Sequence, residues 1–151
     1  MVIREAHPRD AASIAALAGQ LGYRVTETEI AGRLRSGSHR RAILVAEDGR
    51  GEPAGWAEVT GTHHLISGPV AELAALIVDE SRRGQGIGRG LVQRALLWAR
   101  HNGYPILRVR TNVLRERAHR FYADQGFERE KTQYVFRIAL GPEEPGPPRR
   151  A

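Results

Sequence analysis

The residues with the clearest chemical potential are Arg83-Gly84-Gln85-Gly86-Ile87-Gly88. Three glycines at alternate positions let the backbone approach a ligand closely and turn unpaired amides toward it. At the start of a helix they also meet a dipole worth about half a positive charge, which together suits phosphate. Arg82, Arg83 and Arg89 place further charge around the same turn. A tight strand-to-helix turn with no ligand is the other reading of such glycines. Two familiar phosphate loops fail on spacing. A P-loop needs Lys followed by Ser or Thr after its last glycine, where this chain has Arg89-Gly90. A dinucleotide fingerprint needs a glycine at its sixth position, which is Arg89 counted from Gly84 and Leu91 counted from Gly86. The pattern that survives is R-x-x-G-x-G at Arg83, Gly86 and Gly88.

Other chemistry is narrowed by what the chain contains. It has no cysteine, which removes disulfides, thiolate metal sites and cysteine nucleophiles. His63 and His64 are adjacent and on a strand would point to opposite sides, so we expect them in a loop and expect no metal site. The net charge of +6 would suit nucleic acid, an acidic membrane or an anionic ligand. The arginines are scattered, and Lys131 is the only lysine, which argues against nucleic acid as the partner. The polar N-terminus and the lack of a long apolar stretch predict no signal peptide and no membrane contact, so a cytoplasmic protein is expected.

The elements that must position these residues follow from periodicity. Residues 2–6 read as a strand. Ile14, Leu17, Ala18 and Leu21 fall at helical spacing, and Thr26 with Glu29 forms a capping box before a second helix carrying Ile30, Ala31 and Leu34. Residues 42–47 and 54–60 flank Asp48-Gly49-Arg50-Gly51 as an antiparallel hairpin. Residues 71–78 form a nearly continuous apolar run, predicted as a strand buried on both faces, with Glu72 inside it. A helix over 87–101, a strand over 106–111 and a helix over 113–125 carrying Leu114, Ala118, Phe121 and Tyr122 come next. The strand-helix-strand crossover makes its two strands parallel, so the predicted fold is α/β with a mixed, mostly antiparallel sheet. Residues 133–140 offer a last strand. The chain reads as one domain over 1–140, followed by a proline-rich tail over 141–151 expected to be disordered.

Once these elements are in order, the chain resembles the GNAT superfamily of N-acetyltransferases. The resemblance is strongest over residues 71–127, where the hexapeptide is joined by the strand ending in Thr111-Asn112 and by Ala118-x-x-x-Tyr122-x-x-x-Gly126-Phe127. It implies acetyl-CoA as cosubstrate and no metal. The pyrophosphate would lie on Arg83, Gly84, Gln85, Gly86, Ile87, Gly88 and Arg89, with the pantetheine arm along Leu76, Ile77 and Val78. The resemblance further implies that Tyr122 donates to the leaving thiolate and that Glu72, eleven positions before Arg83, is the general base, with Glu58 as the alternative. An acceptor resembling lysine needs such a base, because exposing its lone pair at pH 7 costs about 4.6 kcal/mol. Burial within the apolar run would raise the pKa of Glu72 toward a useful value. Many members carry an asparagine three positions before the helix alanine, where this chain has Arg115, so the nearest candidate for that contact is Asn112. Tyr23, between the first two helices, is the acceptor-side candidate. Direct transfer to a primary amine of a small molecule, peptide or protein is expected, with a coenzyme A-binding sensor as the alternative. A homodimer is compatible with the resemblance.

Overall fold

The computed structural model describes residues 1–142. They fall into two units, Met1–Asn112 and a second that begins at Val113. The first contains strands β1 (Val2–Glu5), β2 (Arg41–Glu47), β3 (Pro53–His64), β4 (Gly68–Val78) and β5 (Leu107–Val109). Its helices are α1 (Ala11–Gln20), α2 (Glu27–Arg35) and α3 (Ile87–His101), with short 3-10 helices at Pro8–Asp10 and Glu80–Arg82. The second unit contains α4 (Glu116–Asp124). The strands form one sheet in the order β1-β2-β3-β4-β5. Every pairing is antiparallel except β4 with β5, which is parallel, so the predicted mixed sheet is observed.

Alternation along β3 decides which face each helix covers. A Cβ on Gly55 would meet the side chains of Ile87 and Leu91 of α3. Its neighbour Trp56 instead packs against Leu17 and Ala18 of α1, with Ile77 and Val25. Successive residues of a strand point to opposite faces, so α3 and α1 cover opposite sides of the sheet. Thr26 caps α2 as predicted, accepting from the Glu29 amide at 3.1 Å while Glu29 accepts from the Thr26 amide at 2.8 Å.

Several sequence expectations are corrected. His63 and His64 end β3 and pair with Pro69 and Gly68; the left-handed Gly68 (φ 72°) allows the chain to turn within residues 65–67. The 71–78 run is not buried throughout, because β4 carries a bulge. Glu58 pairs with Ala75 and Val59 with Leu73, leaving Ala74 unpaired and exposed. Arg115 (φ −90°, ψ 67°) is not helical, so α4 starts at Glu116 and Leu114 lies outside it, 85% exposed. Residues 133–140 are irregular, with Tyr134, Val135, Phe136, Ile138 and Leu140 exposed. Their pattern suits a pleated surface, but a strand exists only through a ladder. The expected tail beyond Pro142 lies outside the described residues.

Candidate functional site

The glycine turn is held from three directions. Asp79 accepts from the Ser81 amide at 2.8 Å and from its hydroxyl at 2.7 Å, shaping the 3-10 helix after β4. The Ser81 hydroxyl and amide hold the Asp79 carboxyl below its ordinary value. The Glu80 amide donates to the Gln20 side chain at 3.0 Å, tying the turn to the end of α1. Arg82 donates to Asp48 at 2.8 Å and so anchors the turn to the β2–β3 connection. That contact assigns Arg82 a structural role and leaves Arg83 and Arg89 as the exposed cations beside the glycines.

Gly84 (φ 78°) and Gly86 (φ 83°) are both left-handed, a conformation that costs other residues about 1–2 kcal/mol. The Gly90 amide bonds the Gly86 carbonyl at 3.0 Å and closes the first turn of α3. Gly86 has no side chain to cap that helix, so the amides of Ile87, Gly88 and Arg89 keep the orphan character of a helix start. The Ile87 side chain is buried, leaving only its backbone to a ligand. Gln85 stands exposed between the two left-handed glycines.

Next to the turn the sheet opens. β5 pairs with β4 only at Ala71, Glu72 and Leu73, so the rest of β4 lacks that neighbour. The Ala71 amide bonds the Ile106 carbonyl, whereas the Asp79 amide bonds Ala54 on the β3 side. The bulge at Ala74 accounts for the change of phase. Past it, by alternation, the backbone groups of Leu76 and Val78 point to the side that β5 has left. Ile77 belongs to the β3 side through its carbonyl, and its side chain is buried with Leu17 and Ala18.

Glu72 is partly buried and lies opposite Thr60 on β3 and Arg108 on β5. Arg110 reaches it at 3.8 Å. Pairing with an arginine is the non-catalytic reading of Glu72 that the sequence allows, but which arginine is not written there: Arg108 and Arg110 at strand spacing suggest a shared face, and their register against Glu72 comes only with the fold. Glu58 shares that face two residues before Thr60. Tyr23 is 64% exposed between α1 and α2, and Asn112 is exposed beyond β5. The Trp56 indole N–H is buried without a partner among the described residues, which sequence patterning could not reveal. In the second unit Tyr122 is part-buried, in edge-on contact with Phe121 (5.2 Å) and Phe127 (5.5 Å). Burial pushes its hydroxyl pKa up, against a smaller opposing effect of Arg115.

Residues 15–127 match the family model described as Acetyltransferase (GNAT) family. The chain belongs to that family. It is 31% identical over 146 residues to an aminoglycoside N(6')-acetyltransferase type 1 of Stenotrophomonas maltophilia, covering 93% of this chain and 94% of that protein. It is 33% identical over 101 residues to a peptidyl-lysine N-acetyltransferase of Escherichia coli (strain K12), covering 67% of this chain and 59% of that one. The fold matches the aminoglycoside N-acetyltransferase AAC(6')-Iy in complex with CoA, with a TM-score of 0.78, 20% identity and coverage of 92% and 100%. No group of metal-ligating side chains occurs among the described residues, and no described helix is long and apolar enough to cross a membrane.

Proposed function

We propose that this GNAT protein transfers the acetyl group of acetyl-CoA directly to a primary amine. The observation that carries the reading is the juxtaposition in one unit of the left-handed glycine turn, the uncapped start of α3 and the open edge of β4. The amides of residues 84–89, with Arg83 and Arg89, would hold the pyrophosphate. The backbone groups of Leu76 and Val78 would bond the pantetheine arm. The CoA-bound fold relative and the acetyltransferases of aminoglycosides and of peptidyl-lysine support both cosubstrate and amine.

In the transfer the amine nitrogen forms a bond to the thioester carbonyl carbon, the carbon–sulfur bond breaks, and coenzyme A leaves as a thiolate. The nitrogen loses a proton, which Glu72 accepts. The thiolate gains a hydrogen bond from Tyr122. A phenol of about 10 and a thiol of about 8.5 already make full proton transfer to sulfur uphill, and burial raises the Tyr122 pKa further. Tyr122 therefore serves as a hydrogen-bond donor to the leaving sulfur.

The test is free-thiol release from acetyl-CoA across a panel of amines. Amine-dependent release is expected. Saturable acetyl-CoA binding with no release for any amine would overturn the reading in favour of a coenzyme A-binding module.

A further inference from the structure

A side chain joins the glycine turn to the layer that covers the acceptor's face of the sheet. Register decides which face that is. Trp56, Glu58 and Thr60 alternate onto one side of β3, and Thr60 lies opposite Glu72. On that side Trp56 and Val25 both pack against Leu17, Ala18 and Ile77. Glu72 therefore shares its face with α1 and with residues 21–26, the connection to α2. An amine that gives its proton to Glu72 comes in beside that connection.

The link is Gln20, the last residue of α1. Its side-chain oxygen accepts from the Glu80 amide at 3.0 Å, 60 residues further along the chain. The Asp79 carboxyl, held low first by Ser81, is held to a lesser degree by Gln20 as well. Immediately after Gln20 the backbone is locked. The Leu21 and Tyr23 amides bond the Ala18 carbonyl at 3.1 and 3.3 Å, and the Gly22 amide bonds Gly19 at 3.0 Å, with Gly22 left-handed (φ 85°). A displacement of Glu80 thus reaches Tyr23 through one hydrogen bond and a closed helix end. Stability gives little reason for that bond, because Gln20 and Glu80 are both exposed and water can replace either partner.

Resting on the acetyl-transfer reading, we propose that Gln20 is a positioning residue that couples the two substrates. Acetyl-CoA on the amides of residues 84–89 fixes the 3-10 helix at Glu80, and Gln20 passes that placement to residues 21–23, which then receive the amine. Gln20→Met keeps the length and helix propensity of the side chain while removing the accepting oxygen, and Gln20→Glu keeps an oxygen. In an amide NMR titration with acetyl-CoA, Gly22 and Tyr23 should shift with the glycine amides and saturate at the same concentration. In Gln20→Met the glycine amides should still shift with little change in affinity, while the response at Gly22 and Tyr23 is lost; Gln20→Glu should recover part of it. At saturating acetyl-CoA, the amine of the panel that releases thiol fastest should show a KM about fivefold higher in Gln20→Met, at the low end of coupling between two sites. Gly22 and Tyr23 unmoved while the glycine amides shift, or a response or an acceptor KM untouched by Gln20→Met, overturns the inference and leaves acetyl transfer standing. If no amine releases thiol, acetyl transfer itself fails, and the NMR response at Gly22 and Tyr23 decides the link through Gln20. If acetyl-CoA leaves the glycine amides unmoved as well, both fall.

Discussion

Burial pushes the pKa of both Asp10 and Tyr122 up, and at Asp10 the bonded partners more than reverse it. The Asp10 side chain is almost fully covered, yet its carboxyl is held below its ordinary value, first by the Arg4 guanidinium at 2.8 and 2.9 Å and then by the His7 amide at 2.7 Å. Arg4 also bonds Glu47, so one arginine joins β1, the 3-10 helix before α1 and β2. Because the folded-state pKa is depressed, this stabilisation is complete above the ordinary carboxylate range and is lost as pH falls through the lower native value. Asp10→Ala should cost about 2–3 kcal/mol in urea denaturation at neutral pH, and the loss should shrink in acid. An equal loss at every pH would refute the ionic account. Tyr122 has a raised pKa, so its hydroxyl stays protonated through neutral pH and is available as a donor. Tyr122→Phe should lower kcat on the order of tenfold to a hundredfold while acetyl-CoA affinity changes little. Turnover unchanged with a good acceptor would remove Tyr122 from the chemistry. Tyr122 became a candidate through the resemblance of its helix to the GNAT motif, whereas nothing in the sequence pointed to the Arg4–Asp10–Glu47 network, since its members meet only after three separate elements assemble.

Among the elements, β3 and β4 decide the most. Their order and antiparallel sense follow from apolar runs and turn residues, but the bulge at Ala74 does not, because it depends on two strands losing phase by one residue. That bulge turns the backbone groups of Leu76 and Val78 to the open edge. A second constraint lies at the other end of β3. Tyr104, after α3, stacks on Trp98 at 5.6 Å and lays its hydroxyl over Gly61, where an added Cβ would come within 1.8 Å of the oxygen. Gly61→Ala should therefore destabilise the protein by about 2 kcal/mol or more in thermal or urea unfolding. Gly32→Ala, inside α2 with open space around it, should stabilise by about 0.5–1 kcal/mol. Similar effects at both sites would refute the role given to Tyr104.

For the whole molecule, local periodicity predicted all five observed strands and the helices of the first unit, because each buries one repeating face, and it added a sixth strand over 133–140 that the fold lacks among the described residues. Hairpin length, register and the fate of residues 133–140 depend on partners distant in the chain, and there the expectations needed correction. The turn at Arg83 to Gly88 stood out in the sequence as a candidate anion site, and its spacing excluded two other phosphate loops. Its setting beside the open edge of β4 came only with the fold. The net charge of +6 bears on the same site. If the cosubstrate is an anion held largely by exposed cations and amides, raising salt from about 0.05 to 0.5 M should weaken acetyl-CoA binding several-fold by calorimetry. Salt-independent affinity would contradict that. The most direct test of the central claim is an amide NMR titration of the protein with acetyl-CoA. The account predicts saturable shifts largest at Gly84, Gln85, Gly86, Ile87, Gly88 and Arg89, extending to Leu76 and Val78. Saturable binding that leaves the glycine amides unmoved and shifts other residues instead would contradict it.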